Sequence, residues 1–403
     1  MRILLSTYGS RGDVEPVAAL AVALREIGAE AVVSAPADPE FLRLLDRAGV
    51  ALVPALMPVR AWIDRARREQ WTLPEAAAEL VAGQAEALAA AADGGDAVVA
   101  TGLFPSDAAA QALAESRGLP FAFAVFCPVV LPSQHYRPMP YPGHPLPPGE
   151  TDNLALWAHN DRAMDALFGE AVNAHRAALG LPRPQGLRDH VFTPRPLLAA
   201  DPVLAPWPGG DRIDPVQTGA WILPDDRPLP TELEAFLEAG EPPVYVGFGS
   251  MAMAAAPDAS HVALEAARAC GRRLVLARGW GRLDPVGGRG ACLAVGDVNQ
   301  QALFPRVAAV VHHGGAGTTT AAARAGTPQV VVPQVADQPW WGGRVADLGL
   351  GAVHDGPAPT AGSLSSALKI ALRPGTRARA AALAPTIRAD GAAVAARWLL
   401  DNL

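Results

Sequence analysis

The sequence predicts an α/β fold of two doubly wound, Rossmann-like domains, and three observations carry this prediction. The chain has 403 residues, more than one ordinary hydrophobic core serves, so two domains of about 200 residues are expected. In both halves, short apolar runs alternate with amphipathic helical stretches, which is typical of parallel sheets covered on both faces. A segment dense in proline, glycine and aspartate, residues 204–230, separates the two series.

The first half begins with a predicted strand at residues 2–7 (RILLST) and a helix at 16–28, whose apolar residues recur at helical spacing. Further strands are expected near 29–35, 50–55, 96–102 and 120–126. Eight prolines lie between Pro128 and Pro148 and exclude a regular helix or a central strand there. Such a long loop is expected to act as a lid or a binding loop, and helices resume at about 152–179.

The second half repeats the alternation with a helix near 258–270 and strands near 243–250, 272–279, 292–297, 308–313 and 328–333. The end of the chain, from about residue 376, is predicted to be helical and could pack on either domain. The expected boundaries are a first domain at 1–205, a linker at 206–230, a second domain at 231–385 and a C-terminal helix at 386–403.

Composition narrows the possible functions. A formal charge of −7 and the lack of any dense basic block exclude a protein built to bind nucleic acid. Three scattered cysteines, Cys127, Cys270 and Cys292, have no metal-site spacing and indicate a reduced cytoplasmic protein. The uncharged stretch at residues 118–133 has three prolines in 16 residues, so no stable membrane insertion is expected.

Residues 312–326 (HHGGAGTTTAAARAG) place a small-residue turn between an apolar strand and a helix. Glycines at 314, 315 and 317 let the backbone approach a ligand, and the free N–H groups of the helix start favour a phosphate. His313 and the hydroxyl of Thr318 or Thr319 are candidate donors. A tight turn with a threonine cap and a packed histidine explains the same letters equally well. The spacing matches neither a dinucleotide fingerprint nor a Walker A loop.

Six further residues have two interpretations each. Asp13 precedes a helix that has Pro16 in its first turn, and Asp13 is either a general base or a capping residue. Its neighbours Ser10 and Arg11 either contact a ligand or are solvated loop residues. Asp337 and Gln338 offer acceptors and donors to sugar hydroxyls, or simply begin a helix. Trp280 stacks on a flat ring or packs in the core.

Residues 312–351 resemble the donor-binding motif of family 1 glycosyltransferases with the GT-B fold, most of all the glycopeptide-antibiotic (vancomycin-group) branch. The stretches STYGSRGDVEP (6–16), VYVGFGS (244–250) and ARGW (277–280) resemble that branch as well. The match runs in order along nearly the whole chain and is weakest in the proline-rich loop. It implies two Rossmann-like domains facing across a cleft, with a C-terminal helix that crosses back.

The resemblance also implies the roles of individual residues. His313, Gly315, Gly317 and Thr318 would hold the diphosphate of a TDP- or UDP-sugar with help from Ser250, while Trp280 and the backbone near Val298 would hold the base. Asp337 and Gln338 would contact the hydroxyls of a glucose-like hexose, and Asp13 would be the base of an inverting transfer. No Asp-x-Asp motif occurs, so a metal-independent enzyme is expected, with no cofactor beyond the donor substrate.

The acceptor is the least defined part of this prediction. A natural-product aglycone is expected, first of all a glycopeptide, with sterol, glycolipid and macrolide acceptors as alternatives. Two other functions fit a chain of this kind: a nucleotide-sugar epimerase, and a non-catalytic auxiliary partner of a true transferase. The sequence does not distinguish TDP from UDP in the donor, or glucose from N-acetylglucosamine in the sugar. It also does not define the regiochemistry of transfer or whether the protein is a monomer or a dimer.

Overall fold

The structure, a computed structural model, describes residues 1–209, 213–251, 253, 256–281, 283–284, 286–288 and 290–403. The chain divides into two compact units. The first comprises Met1–Pro202, Pro206–Leu223 and Ala389–Leu403, and the second comprises Val203–Ala205 and Pro224–Arg388. Each unit contains one parallel sheet with helices between its strands, which confirms the predicted α/β class with two Rossmann-like domains.

The sheet of the first unit has seven strands in the order β3-β2-β1-β4-β5-β6-β7, and every pairing is parallel. The strands are β1 (Arg2–Tyr8), β2 (Glu30–Ala35), β3 (Ala51–Pro54), β4 (Ala97–Gly102), β5 (Phe121–Val125), β6 (Leu197–Leu198) and β7 (Val216–Gln217). Strand β1 is buried from its second residue onward because helices cover both faces of the sheet, so it is apolar without alternation. The chain reverses its winding direction between β1 and β4.

Eight α-helices belong to the first unit among the described residues. They are α1 (Arg11–Glu26), α2 (Pro39–Arg47), α3 (Val59–Arg68), α4 (Leu73–Ala91), α5 (Ser106–Arg117), α6 (Asn153–Ala178), α7 (Leu187–Phe192) and α15 (Gly391–Asn402), with a 3-10 turn at Pro128–Val130. One face of α4 packs on the sheet through Leu88, which joins Leu4, Val32 and Val98 in a buried apolar cluster. These contacts fix α4 across the middle of the sheet.

The sheet of the second unit has six parallel strands in the order β10-β9-β8-β11-β12-β13. They are β8 (Val244–Gly247), β9 (Leu274–Ala277), β10 (Cys292–Val295), β11 (Ala309–His312), β12 (Gln329–Val331) and β13 (Gly351–Val353). The winding reverses between β8 and β11, which makes the end of that strand pair the place where ligands bind in sheets of this kind.

Seven α-helices lie in the described part of the second unit. They are α8 (Thr231–Glu238), α9 (Ala259–Ala269), α10 (Gln300–Leu303), α11 (Ala316–Arg324), α12 (Gln338–Asp347), α13 (Ala361–Ala371) and α14 (Pro374–Leu383), with 3-10 turns at Phe304–Arg306 and Ala384–Thr386. Two apolar clusters cover the opposite faces of the sheet, one around Val246 and Leu276 and the other around Tyr245 and Phe304.

The segment expected as a linker, residues 206–230, is more structured than its composition indicates. It contains β7, the edge strand of the first sheet, and the division between the units falls at 223/224. Three of its residues, 210–212, lie outside the described part of the chain. A two-residue strand has too few letters to produce a pattern, so the proline- and glycine-rich sequence conceals it.

The proline-rich loop is anchored to α6 by side chains that bind its backbone. Trp157 Nε1 donates to the carbonyl of Tyr136 at 2.8 Å, and Asn160 Nδ2 donates to the carbonyl of Met139 at 2.7 Å. The ring of Tyr141 packs edge-on against Phe168 with a centroid distance of 5.6 Å. Regular hydrogen bonding is denied to this sequence by its prolines, and α6 supplies the missing donors. These contacts attach the loop to α6 at Tyr136, Met139 and Tyr141.

The last helix, α15, joins the first unit and packs against α1. Its first residue, Gly391, lies so close to the chain at Gly219 and Ala220 that a Cβ there would fall 2.4 Å from Ala220 O. Only glycine permits this approach. Of the described residues, no helix is both long and apolar enough to cross a membrane.

Candidate functional site

Most of the predicted site residues follow four strands that are neighbours in the second sheet. Ser250 comes after β8, Trp280 after β9, His313 after β11 and Asp337 after β12, and the strands lie in the order β9-β8-β11-β12. Since the strands are parallel, all four loops emerge at one edge of the sheet, on either side of the β8/β11 reversal.

Close backbone contacts bind the loops after β8 and β9 together. The N–H of Trp280 donates to the carbonyl of Gly249 at 2.8 Å. Gly279 has a φ of +50°, and a Cβ on it would lie 2.6 Å from Gly249 O. Both the conformation and the spacing therefore require glycine at position 279. Ser250 and the indole of Trp280 are half-buried beside this junction.

His312 is a buried structural residue beneath the loop that follows β11. Its Nδ1 accepts the N–H of Gly314 at 3.1 Å, so its Nε2 carries the proton and donates to Gln329 Oε1 at 2.9 Å. Gln329 Nε2 in turn donates to the carbonyl of Thr319. Burial, together with the adjacent His313, lowers the pKa of His312 to about 3. The neutral ring thus holds both ends of the turn that leads into α11.

His313 lies between two glycines at the reversal of the sheet. A Cβ on Gly249 would come within 3.3 Å of the His313 ring, and one on Gly315 would come within 2.6 Å of its Nε2. Burial lowers the pKa of His313 to about 4. Within the described residues its Nδ1 is buried without a hydrogen-bond partner. An unpartnered buried ring nitrogen is costly unless a ligand completes it.

The start of α11 is open to a ligand. Gly315 occupies its N-cap position, and among the described residues no side chain accepts from the first backbone N–H groups. The Thr319 hydroxyl turns back to the carbonyl of Gly315 at 2.9 Å and is buried, which leaves half-buried Thr318 as the threonine of the first turn nearer the surface. The helix therefore presents its N–H groups and the positive end of its dipole beside His313.

The loop after β12 is shaped by the side chain of Gln338. Its Oε1 accepts the N–H groups of Gln334 (2.8 Å) and Val335 (3.1 Å), and its Nε2 contacts the sulfur of Met251 at 3.5 Å. With an exposure of 5%, Gln338 is committed to the loop in this structure. Ala336 takes a φ of +56°, a conformation that a non-glycine residue adopts only when its surroundings impose it.

Asp337 lies half-buried at the N-cap position of α12, where its Oδ2 accepts the indole N–H of Trp341 at 2.9 Å. Trp341 is fully buried. This tryptophan is not among the residues predicted from the sequence, although its i+4 spacing from Asp337 on one helix is a signal that points to it.

Val298 is 8% exposed and packs in the core, so only its backbone is available to a ligand. The next residue, Asn299, was also overlooked. Its Nδ2 donates to the carbonyls of Asp225 and Arg227, both at 2.8 Å, and its Oδ1 accepts the N–H of Ala302. Arg227 also pairs with Asp297 at 2.9 Å. These bonds hold the backbone at Val298 in place.

In the first unit, Ser10 and Asp13 form a capping box at the start of α1. Asp13 Oδ2 accepts the N–H of Ser10 at 2.7 Å and its hydroxyl at 3.2 Å, while Ser10 Oγ accepts the N–H of Gly12. A Cβ on Gly9 would lie 2.3 Å from Asp13 Oδ2, so glycine leaves room for the carboxylate. Arg11 pairs with Glu15 at 2.5 Å on the half-exposed side of the helix.

The predicted site residues therefore form two groups. One group, Ser10, Arg11 and Asp13, follows the end of β1 in the first unit, and the other follows strand ends of the second sheet. Among the described residues, no group of three or more His, Cys, Asp or Glu side chains is placed to hold a metal ion. This edge of the second sheet can bind an anion at α11 and His313, with the carboxylate of Asp337 in the loop after the neighbouring strand β12.

Comparison with known proteins gives relatives along the whole chain. Residues 291–394 match the family model described as "Erythromycin biosynthesis protein CIII-like, C-terminal domain". The chain is 51% identical to glycosyltransferase GtfE of Amycolatopsis orientalis, over 99% of this chain and 97% of that one. It is 50% identical to the vancomycin aglycone glucosyltransferase of the same organism (100% and 97% covered) and 48% identical to its dTDP-epi-vancosaminyltransferase (94% and 92% covered).

Among solved structures, the glycotransferase of kitacinnamycin aligns over 100% of this chain and 99% of that one, with a TM-score of 0.68 at 20% identity. Glycosyltransferase VinC, solved in complex with dTDP, aligns with the same coverage, TM-score and identity. At this level of identity the likeness is one of fold: two Rossmann-like domains in each chain.

Proposed function

The chain belongs to the family 1 glycosyltransferases of the GT-B fold, and from that premise we propose that it moves a glucose-like hexose from a TDP- or UDP-sugar to a hydroxyl of a glycopeptide-antibiotic aglycone. The observation that carries the proposal is the uncapped start of α11 beside His313, at the reversal of the second sheet. Phosphate oxygens would supply the hydrogen-bond acceptors that the backbone N–H groups of the helix start lack.

In this proposal the donor diphosphate binds to the N–H groups of the α11 start, from Gly315 through Gly317 to Thr318, with His313 and Ser250 as further donors. His313 is neutral in the free protein because burial lowers its pKa, so it acts as a hydrogen-bond donor. The helix end then takes the place of a cation at the leaving group, which supports a metal-independent reaction. Trp280 and the fixed backbone at Val298 hold the nucleotide base.

The transfer itself is a single displacement with inversion at the anomeric carbon. The acceptor oxygen forms the new bond to that carbon, while the bond to the diphosphate breaks and its electron pair leaves with the nucleotide. Asp13 takes the proton of the acceptor hydroxyl. Its carboxylate is held by Ser10 through Oδ2, which fixes its orientation, as a positioned base requires. Arg11 lies beside it and contributes positive charge near the reacting groups.

The sugar and the acceptor are inferred from the relatives and from one residue. A relative at 50% identity is named for glucosyl transfer to the vancomycin aglycone, and Asp337 offers a fixed carboxylate to sugar hydroxyls. Another relative, at 48% identity, is named for transfer of epi-vancosamine from dTDP. A deoxyaminosugar donor is therefore the second candidate, and it belongs in the same assay.

A mass-spectrometric transfer assay tests the proposal directly. The purified protein is offered TDP-glucose, UDP-glucose, UDP-N-acetylglucosamine and TDP-epi-vancosamine, each with a heptapeptide aglycone, a macrolide or a sterol. We expect an aglycone product heavier by one hexose, with release of the nucleotide diphosphate, in buffer containing EDTA as well as without it. A product only with a macrolide or sterol would overturn the acceptor, and loss of product in EDTA would overturn metal independence.

Two controls separate the remaining functions. Consumption of a nucleotide-sugar in the absence of any acceptor, with the sugar converted to its epimer, would identify an epimerase. Tight binding of nucleotide-sugar with no product from any pair would support an auxiliary partner, and the proposal of an active transferase would then fail.

A further inference from the structure

The start of α12 departs from ordinary helix capping. An aspartate at the N-cap position normally accepts the backbone N–H groups of the first turn, an arrangement that stabilises a helix by about 1 kcal/mol. Here Asp337 forms no such bond within the described structure. Its Oδ2 instead accepts the indole N–H of Trp341, one turn further along the helix, at 2.9 Å. The carboxylate thus binds a side chain one turn along the helix rather than the backbone of its own first turn.

That donor is rigid. Trp341 has no exposed surface, and the next residue, Gly342, brings α12 so close to the sheet that a Cβ there would lie 2.6 Å from Val353 and 3.3 Å from Val331. The indole is therefore fixed relative to β12 and β13, and through the 2.9 Å bond it fixes the carboxylate as well.

The loop before Asp337 is held from the other side. Gln338 accepts the N–H groups of Gln334 and Val335, and Ala336 is kept at a positive φ. A non-glycine residue in this conformation costs of the order of 1–3 kcal/mol and persists only where its surroundings impose it. Both neighbours of Asp337 in the chain thus serve to present its side chain in one orientation.

We propose that Trp341 is the positioning residue for sugar recognition: it holds Oδ2 of Asp337 so that the carboxylate meets the hydroxyls of the donor sugar in one geometry. The inference rests on the proposed function, in which Asp337 contacts the sugar. A fixed acceptor discriminates because a sugar that lacks the hydroxyl leaves the acceptor unpaired, whereas a mobile carboxylate turns back to water.

The test compares variants by two readouts. In Trp341→Phe the N–H is lost, and KM for the nucleotide-hexose is expected to rise about 10-fold while inhibition by the free nucleotide diphosphate is unchanged. The preference for the hexose over its 2-, 3- and 4-deoxy analogues, measured as a ratio of kcat/KM, is expected to shrink for at least one analogue. A merely structural tryptophan would lower kcat or the thermal midpoint and leave that preference intact.

Two further variants separate loss of the indole N–H from a general effect of replacing a buried tryptophan. Replacement of Trp341 by 3-benzothienylalanine exchanges the N–H for sulfur at nearly constant shape, so it applies even if the phenylalanine variant does not fold. Trp221→Phe is the control, because Trp221 is also buried and donates its indole N–H, to Thr218 Oγ1 at 3.0 Å, but it lies in the first unit. The control is expected to keep the sugar preference of the wild type.

Asp337→Asn separates failure of this inference from failure of the proposed function. If Asp337→Asn leaves the sugar preference unchanged, Asp337 does not contact the sugar and the assignment on which the inference rests is wrong. If Asp337→Asn removes the preference but both Trp341 variants retain it, only the positioning role is wrong. Equal losses that do not add in the double variant support it.

Discussion

The starts of α1 and α11 both lie beside the winding reversal of their sheets, on opposite sides of it, and they are capped in opposite ways. Each helix follows a strand next to the winding reversal, through a loop that contains glycine. At α1 the chain satisfies its own donors, because Ser10 and Asp13 bind one another's backbone. At α11 the N-cap is Gly315, no side chain of the described residues caps the helix, and His313 Nδ1 has no partner among them.

The difference shows that a helix start beside a winding reversal can either carry an anion of its own or bind one from outside. A helix start that is completed by its own carboxylate carries a fixed anion, which suits a base that must be aimed at a substrate. A helix start that lacks a side-chain cap attracts an anion from outside, which suits a diphosphate. Four variants follow from this contrast, from the largest expected effect to the smallest.

Asp13→Asn should abolish transfer while the fold and the donor site remain. The amide oxygen of asparagine can accept the N–H of Ser10 as the carboxylate does, so the capping box survives, but the amide takes no proton. We expect kcat to fall by about 10²–10⁴, with the affinity for the nucleotide-sugar unchanged by calorimetry. Turnover near that of the wild type would remove Asp13 from the mechanism.

Gly315→Ser should make the start of α11 resemble that of α1. The new hydroxyl caps the helix, and its Cβ would lie 2.6 Å from His313 Nε2, so the ring is displaced. We expect the affinity for TDP to fall by about 10²-fold, measured by calorimetry, because both groups of donors are lost. Gly343→Ala, where a Cβ meets nothing within 4 Å, is the control. Unchanged TDP affinity in Gly315→Ser would show that the diphosphate binds elsewhere.

Ser10→Ala should weaken both functions of the α1 capping box. Asp13 loses the hydroxyl of residue 10 and keeps its backbone N–H, so we expect the free energy of unfolding to fall by about 1 kcal/mol and kcat by about 10-fold. Thr360→Ala removes the corresponding cap of α13, in the second unit, and should lower stability without lowering kcat. Equal effects of the two variants on kcat would mean that Ser10 only stabilises the fold.

The pH dependence of stability should distinguish His313 from an exposed histidine. The folded pKa of His313 is lowered to about 4, below the unfolded value of about 6.5, so the unfolded chain binds more protons between these values. Stability is therefore complete above about pH 6.5 and declines as the pH falls towards 4. In thermal scans across this range, His313→Asn should give a shallower decline than the wild type, whereas His135→Asn, in the exposed part of the proline-rich loop, should not.

The alternation of apolar runs was enough to predict the two parallel sheets and the sheet edge at which the predicted donor-site residues lie. Because strand ends in such sheets converge, positions as far apart as Ser250, Trp280 and His313 could be placed together from the order of motifs alone. The family was evident from the letters between 312 and 351, and relatives at 51% and 50% identity confirm it.

The features that the sequence did not predict are hydrogen bonds made by individual side chains in the folded protein. Gln338, which is predicted to contact the sugar, also binds the backbone of its own loop through its amide oxygen, and nothing in the local sequence indicates these bonds. The indole N–H of Trp341 donates to Asp337 within α12, a helix whose packing on the sheet buries the ring. For Asp13, the cap is what the structure shows, and its role as a base remains a prediction that a capping geometry does not oppose.

The contact of Gly391 with Gly219 and Ala220 bears on how such a chain could be rebuilt. The chain leaves the first unit after Leu223 and returns at Ala389, and the anchoring residues on either side of this excursion touch. Apart from Val203–Ala205, the second unit is thus one uninterrupted insert whose two attachment points are neighbours. Two cuts in the gene would exchange it for the corresponding piece of a relative, and the new donor preference would arrive without disturbing the strand order of the host.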